Sequence, residues 1–306
     1  MRDRLRDAVY AAGWGLVRHL PEPAARGLFA AAADVAWWRR GRGVRRLEAN
    51  LARVLGPDAS PDRVRALSRA GMRSYLRYWC EAFRLPAWDG RGILARIEVP
   101  EEERLRTALD AGRGVVAVLP HMGNWDLAGA WAATVGLPLA TVAERLEPAA
   151  LFDRFVAYRE RLGLTVLPLG DPEVFGLLAR RLRQGGLVAL LGDRDLTATG
   201  VPVCFFGATA RMPAGPAALA VQTGAALLPV TLWYDGPRLH VQIHPAVPDP
   251  GAGSRADRIA TMTQQVARVF EAAVAAHPAD WHMLARLWPD EPPAGEDEGC
   301  PVTINP

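Results

Sequence analysis

The chain has 306 residues, half of them hydrophobic and 23% charged, a composition that suits a globular protein with room for a sizeable core. All 36 basic residues are arginine, which excludes mechanisms that need a lysine, whether Schiff-base or P-loop. The net charge of +3 is small but uneven: residues 1–75 hold 15 arginines against seven acids, whereas Asp290 to Glu298 holds acids and no base.

In chain order, residues 1–85 read as a helical segment packed on or beside the core. Leu5, Val9, Ala12, Leu16 and Leu20 recur at helical spacing. The uncharged run Ala8 to Val17 is too short to cross a hydrocarbon core, and no cleavage site of signal-peptide type follows it. Trp37-Trp38-Arg39-Arg40 adds an aromatic and basic cluster of the kind enriched at lipid headgroup level. Together these features predict a membrane-associating surface helix rather than a span. Residues 86–289 form the expected core. There, apolar runs near 115–119, 138–143, 165–168, 187–192 and 227–234 alternate with helical patterns near 124–135, 148–162, 172–184 and 214–223. That alternation predicts an α/β fold with a central, mostly parallel sheet flanked by helices, closed by a helix over 255–276. Residues 290–306, rich in proline, glycine and acid, are expected to be a flexible tail.

Val115 to Leu119 is a short apolar run closed by Pro120, so His121 falls just past a strand's carboxyl end. Asn124 is a good N-cap, and Asp126 then sits in the first turn of the next helix. A histidine held by a nearby acid removes a proton from a hydroxyl at neutral pH, which makes His121 the candidate base and Asp126 its orienter. Glu144 and Arg145 follow the next apolar run, and Asp193-Arg194-Asp195 follow the run 187–191. Three such clusters on one sheet edge point to a shared cleft, because open α/β sheets bind ligands there.

Further on, Arg211 precedes a helix opened by Gly215-Pro216, a pattern that suits a phosphate or oxyanion. Residues 212–234 carry no charge, and with Phe205-Phe206 they are candidates for the wall of an apolar channel. None of the four serines sits in a G-x-S-x-G setting, and Cys204 lies in an apolar context, so catalysis without a covalent enzyme intermediate is expected. The three cysteines form no C-x-x-C pair, which indicates neither a disulfide framework nor a zinc knuckle and fits a reducing compartment. His240 and His244 share a strand face without a third ligand at suggestive spacing, so no metal is expected. No base-reading motif accompanies the arginines, which argues against nucleic acid.

His121 with Asp126 in H-x-x-x-x-D resembles the signature of the lysophospholipid and glycerolipid acyltransferases. Phe205-Phe206-Gly207 with Gly215-Pro216-Ala217 and Thr223-Gly224-Ala225 resembles the lipid A late-acyltransferase branch. Ala143-Glu144-Arg145-Leu146, Asp153-Arg154-Phe155-Val156, Gly192-Asp193-Arg194-Asp195-Leu196 and Asp280-Trp281-His282-Met283-Leu284 are most similar to the actinobacterial phosphatidylinositol mannoside acyltransferases. The resemblance implies acyl-CoA as donor, no cofactor, a lipid-linked sugar as acceptor, and an enzyme peripheral to the cytoplasmic face of the membrane. It makes His121 the base and Asp126 its motif partner. Glu144 and Asp195 become candidates to orient or charge-stabilise the imidazole, and Arg145, Arg154, Arg194 and Arg211 candidates for CoA or inositol phosphate contacts. Three alternatives stay open: acylation of another glycolipid or lysophospholipid, hydrolysis of acyl-CoA, and lipid binding without catalysis.

Overall fold

The computed structural model describes residues 17–143, 156–195 and 200–288. Among the described residues, the amino-terminal part holds α1 (Glu22–Trp38), α2 (Arg42–Leu55) and α3 (Pro61–Arg84). The Ser60 hydroxyl accepts the Arg63 amide at 3.2 Å, and Pro61 and Asp62 complete a favourable first turn for α3. The three helices share an apolar cluster of their own, built on Ala33, Val44, Leu47, Leu51 and Met72. Gly71 of α3 lets Leu47 of α2 approach, since a Cβ there would meet the leucine at 3.3 Å. No described helix is long and apolar enough to cross a membrane.

The rest alternates strands and helices: α4 (Gly90–Leu94), β1 (Ile97–Glu98), α5 (Glu102–Asp110), β2 (Val115–Leu119), α6 (Trp125–Thr134), β3 (Leu139–Ala143), β4 (Thr165–Pro168), α7 (Val174–Arg183) and β5 (Leu187–Leu191). After these come β6 (Val201–Phe205), β7 (Ala208–Met212), α8 (Gly215–Thr223), β8 (Ala226–Asp235), β9 (Arg238–Ile243) and α9 (Arg255–Ala276). Seven strands form one sheet in the order β1-β9-β8-β2-β5-β3-β4. Every pairing in it is parallel except β8 with β9. The expected α/β architecture is therefore present; of the expected elements, most of the helices over 2–20 and 148–162 and all of the tail 290–306 lie outside the described residues.

Strand β2 sits between β5 and β8 and is buried along its whole length, which is why its sequence is an unbroken apolar run rather than an alternation. Successive side chains face opposite sides of a sheet. Val116, Val118 and Val188 accordingly join α7, α8 and α9 in one core, whereas Val115, Ala117, Leu119 and Leu187 join α5 and α6 in the other. Helix α9 starts with a reciprocal capping box between Ser254 and Asp257.

The hairpin β6–β7 is the element the sequence pattern misses. Its two-residue turn holds Phe206 and Gly207 at φ 50° and 70°, the mirror-image geometry that tight hairpins require. A phenylalanine at positive φ gives none of the usual Asn-Gly warning. Its amide is satisfied by Glu271 of α9 at 3.0 Å. Cys80 is a buried free thiol.

Candidate active site

The site lies past the carboxyl ends of β2 and β5. These neighbours run in parallel register with Leu119 opposite Leu191, so the residues two further along, His121 and Asp193, arrive side by side. Gly192 makes this approach feasible: its amide donates to the Leu119 carbonyl at 2.8 Å, and a Cβ there would come within 2.4 Å of Val118. Asp193 is fully buried and accepts three hydrogen bonds. His121 Nδ1 donates at 2.5 Å, the His121 amide at 2.9 Å and the Trp281 indole at 3.0 Å.

Burial by itself would raise the Asp193 carboxyl, yet the charge of His121 and these hydrogen bonds outweigh it and hold the group below its usual range. An ionised carboxylate only accepts, so Nδ1 carries a proton, and in the neutral form of the ring the lone pair is on Nε2. The ring is a quarter exposed and packs edge-on to Trp125 at 5.7 Å.

A short C-terminal segment clamps the histidine loop. The Gly123 amide donates to the Asp280 carbonyl at 3.0 Å, the His282 amide to the His121 carbonyl at 2.7 Å, and Met122 bridges Trp281. Beneath the clamp, Ser74 of α3 donates to Asp280 at 2.5 Å and lies 2.9 Å from His282 Nε2. Gly123, at φ 56°, passes so close to β8 that a Cβ would come within 2.9 Å of Leu232.

Asp126 does not orient His121. The first turn of α6 points its carboxylate instead at Arg159, at 2.7 Å, and it accepts the Tyr78 hydroxyl at 2.9 Å. The Asn124 cap works as expected, accepting the Leu127 amide at 3.0 Å and donating to the buried Glu81 of α3 at 2.9 Å.

Beside these groups opens a cavity of about 610 Å³. Its walls are chiefly apolar: Ala117 and Leu119 of β2, Ala128, Gly129 and Ala132 of α6, Ala189 and Leu191 of β5, Phe175 of α7, and Pro216 and Leu219 of α8. His121, Asp126, Arg159, Arg194 and Asp195 supply polar wall. Of the predicted residues, His121, Asp126, Arg194 and Asp195 thus share one cavity, and so does part of the uncharged segment 212–234. Asp195 accepts the Gly200 amide at 2.7 Å.

Arg211, on β7, donates to the Gly200 carbonyl at 3.1 Å and is not part of the cavity wall. Phe205 and Phe206 do not line it either: Phe205 is fully buried against Trp281 and Trp288, and Phe206 packs on Phe205 and Trp288. Their aromatic bulk fills the core on the α9 side of the sheet, which corrects their reading as channel wall. Glu144, Arg145 and Arg154 lie outside the described residues. Sequence reasoning named Asp193 and Trp281 within motif blocks without giving either a role, and did not single out Arg159 or Tyr78. Only the Asp193 position had a signal, as the acid two residues beyond a strand parallel to β2.

An imidazole–carboxylate pair thus stands at the carboxyl edge of a mostly parallel sheet, beside a chiefly apolar cavity, in the place where open α/β sheets bind ligands. The chain belongs to the bacterial lipid A biosynthesis acyltransferase family, whose profile matches residues 3–290. It is 48% identical over 289 residues to a phosphatidylinositol mannoside acyltransferase of Mycolicibacterium smegmatis, covering 93% of this chain and 92% of that protein. A phosphatidylinositol mannoside acyltransferase of Mycobacterium tuberculosis is 47% identical over 288 residues, covering 92% of this chain and 88% of that protein.

Proposed function

We propose that this protein moves a long-chain fatty acyl group from acyl-CoA to a mannose hydroxyl of a phosphatidylinositol mannoside, working as a peripheral protein at the cytoplasmic face of the membrane. The acceptor rests on the names of its relatives, each covered along almost its whole length. The reaction rests on one observation above all, the His121–Asp193 pair opening onto the apolar cavity.

The acyl chain occupies that cavity, where each buried methylene contributes about 0.8 kcal/mol. His121 Nε2 takes the proton of the sugar hydroxyl as its oxygen attacks the thioester carbonyl. The tetrahedral intermediate collapses with cleavage of the carbon–sulfur bond, and the imidazolium returns the proton to the departing thiolate of CoA. Asp193 stabilises the imidazolium while the proton resides there. A placed base contributes roughly 10²–10⁴-fold, so positioning and oxyanion stabilisation supply the remainder. Arg194 in the cavity wall is assigned to a phosphate of the donor or the acceptor, and Asp195 to the hydroxyl-bearing end of the acceptor. No step requires a metal.

Membrane attachment is supported by α1, whose Leu28, Val35 and Trp38 stand exposed next to Arg39 and Arg40. Hydrolysis is the chemical neighbour of this reaction, since water could replace the sugar in the same geometry. Purified protein incubated with a long-chain acyl-CoA, with and without the mannolipid, separates the two. Mass spectrometry is expected to find the acceptor heavier by one acyl group, with thioester loss strongly dependent on acceptor. Equal thioester loss without acceptor, and no acylated lipid, would sink the proposal.

A further inference from the structure

We propose that Trp281 is a positioning residue for the transfer reaction, its indole N–H fixing the Asp193 carboxylate in the orientation that holds His121 ready; this rests on His121 acting as the base. Asp193 Oδ1 takes the Nδ1 proton of His121, while Oδ2 is shared between the His121 amide and Trp281 Nε1 at 3.0 Å. The carboxylate is buried and has no other hydrogen-bond donor among the described residues. Two of its three donors belong to the histidine it must orient, so Trp281 supplies the one contact that is independent of the histidine loop.

The indole is built to hold still. It is fully buried, edge-on to Phe205 at 6.0 Å and Trp288 at 6.3 Å, and its own backbone bridges Met122. Packing therefore sets the ring, the ring sets the carboxylate, and the carboxylate sets the imidazole. A tryptophan offers this combination because its single N–H projects from a rigid bicycle and cannot turn into an acceptor. A charge-assisted hydrogen bond to a buried anion is among the stronger kinds, and its loss leaves Oδ2 held by the His121 amide alone, so that the carboxylate is fixed only by the residue it has to orient.

Trp281→Phe removes the N–H and keeps an aromatic ring. The expected result is a fall in kcat of roughly tenfold with KM within about twofold, because the bond serves the base and not substrate affinity. The low-field proton signal of His121 Nδ1–H should shift or broaden in the same variant. A second replacement at this position, the benzothiophene analogue of tryptophan, keeps the bicycle and lacks only the N–H, so it covers the case in which the phenylalanine variant fails to fold. Wild-type kcat and an unmoved Nδ1–H signal in the analogue-bearing protein would overturn the assignment, leaving Trp281 as packing. His121→Ala is the separate control: turnover surviving there would refute the base reading itself, whereas an inert His121→Ala beside an unaffected Trp281 variant refutes only the positioning role.

Discussion

Within reach of the His121 loop stand two buried aspartates with different work. Asp193 meets the imidazole and two further donors, whereas Asp126 is committed to Arg159 and the Tyr78 hydroxyl. Five residues of sequence separation invited the pairing with Asp126, but a first-turn side chain leaves along the helix face, and α6 directs that face towards Arg159. The register that pairs His121 with Asp193 is a long-range property: no local pattern says that β2 and β5 are neighbours. A buried histidine nearby gives a sign-determined test. Burial first, and then the charge of His121, push the His282 imidazole down to about 3. Below its ordinary pKa the unfolded chain binds a proton that the folded chain refuses, so its contribution is intact above about pH 6.5 and is lost as the pH falls. The loss should approach about 1.4 kcal/mol per pH unit between roughly pH 6.5 and 4. Asp280, raised chiefly by burial, has the opposite sign and offsets part of this at the acid end. Denaturant unfolding at about pH 7 and about pH 5 should show a shallower pH slope for His282→Gln than for wild type, and equal slopes would rule out His282 as the source.

Helix α3 is the element that joins the amino-terminal helices to the site. Ser74, Tyr78 and Glu81, one turn apart on the same face, hold Asp280, Asp126 and Asn124 respectively. Its exposed Arg69 and Arg73 clasp Asp34 of α1. Helix α1 turns its other side to solvent. Leu28, Val35 and Trp38 are 54%, 48% and 74% exposed and lie about one helical face apart, which accounts for most of the large exposed hydrophobic residues among those described. A membrane-facing role predicts that changing all three to serine weakens co-sedimentation with anionic vesicles by roughly tenfold or more, with little change in melting temperature. Undiminished vesicle binding would place the contact elsewhere. The aromatic and basic composition of this region was legible in the sequence; which side of the helix stays uncovered was not, since that depends on how α3 packs against it.

At the scale of the whole molecule, the fold was readable because β2 is buried along its whole length and β2 and β5 are unbroken apolar runs, with β3 interrupted only by Thr141. The hairpin β6–β7 was not, because Gly207 is the sole turn-forming residue in it and the first turn position, also at positive φ, is a phenylalanine. The site followed from sequence in its placement and in its histidine, and failed in the partner of that histidine, which only the strand order β8-β2-β5 brings into contact. The same order sets the cavity at the carboxyl edge, where strands, α6 and α8 supply small and aliphatic walls. The most direct test of the account is the turnover of Asp193→Asn, a change that keeps the shape of the buried side chain and removes its charge. The prediction is a folded protein with acyl transfer reduced by at least about 10²-fold, as expected when an imidazole loses the carboxylate that fixes its tautomer. Turnover within a few-fold of wild type would contradict the His121–Asp193 mechanism.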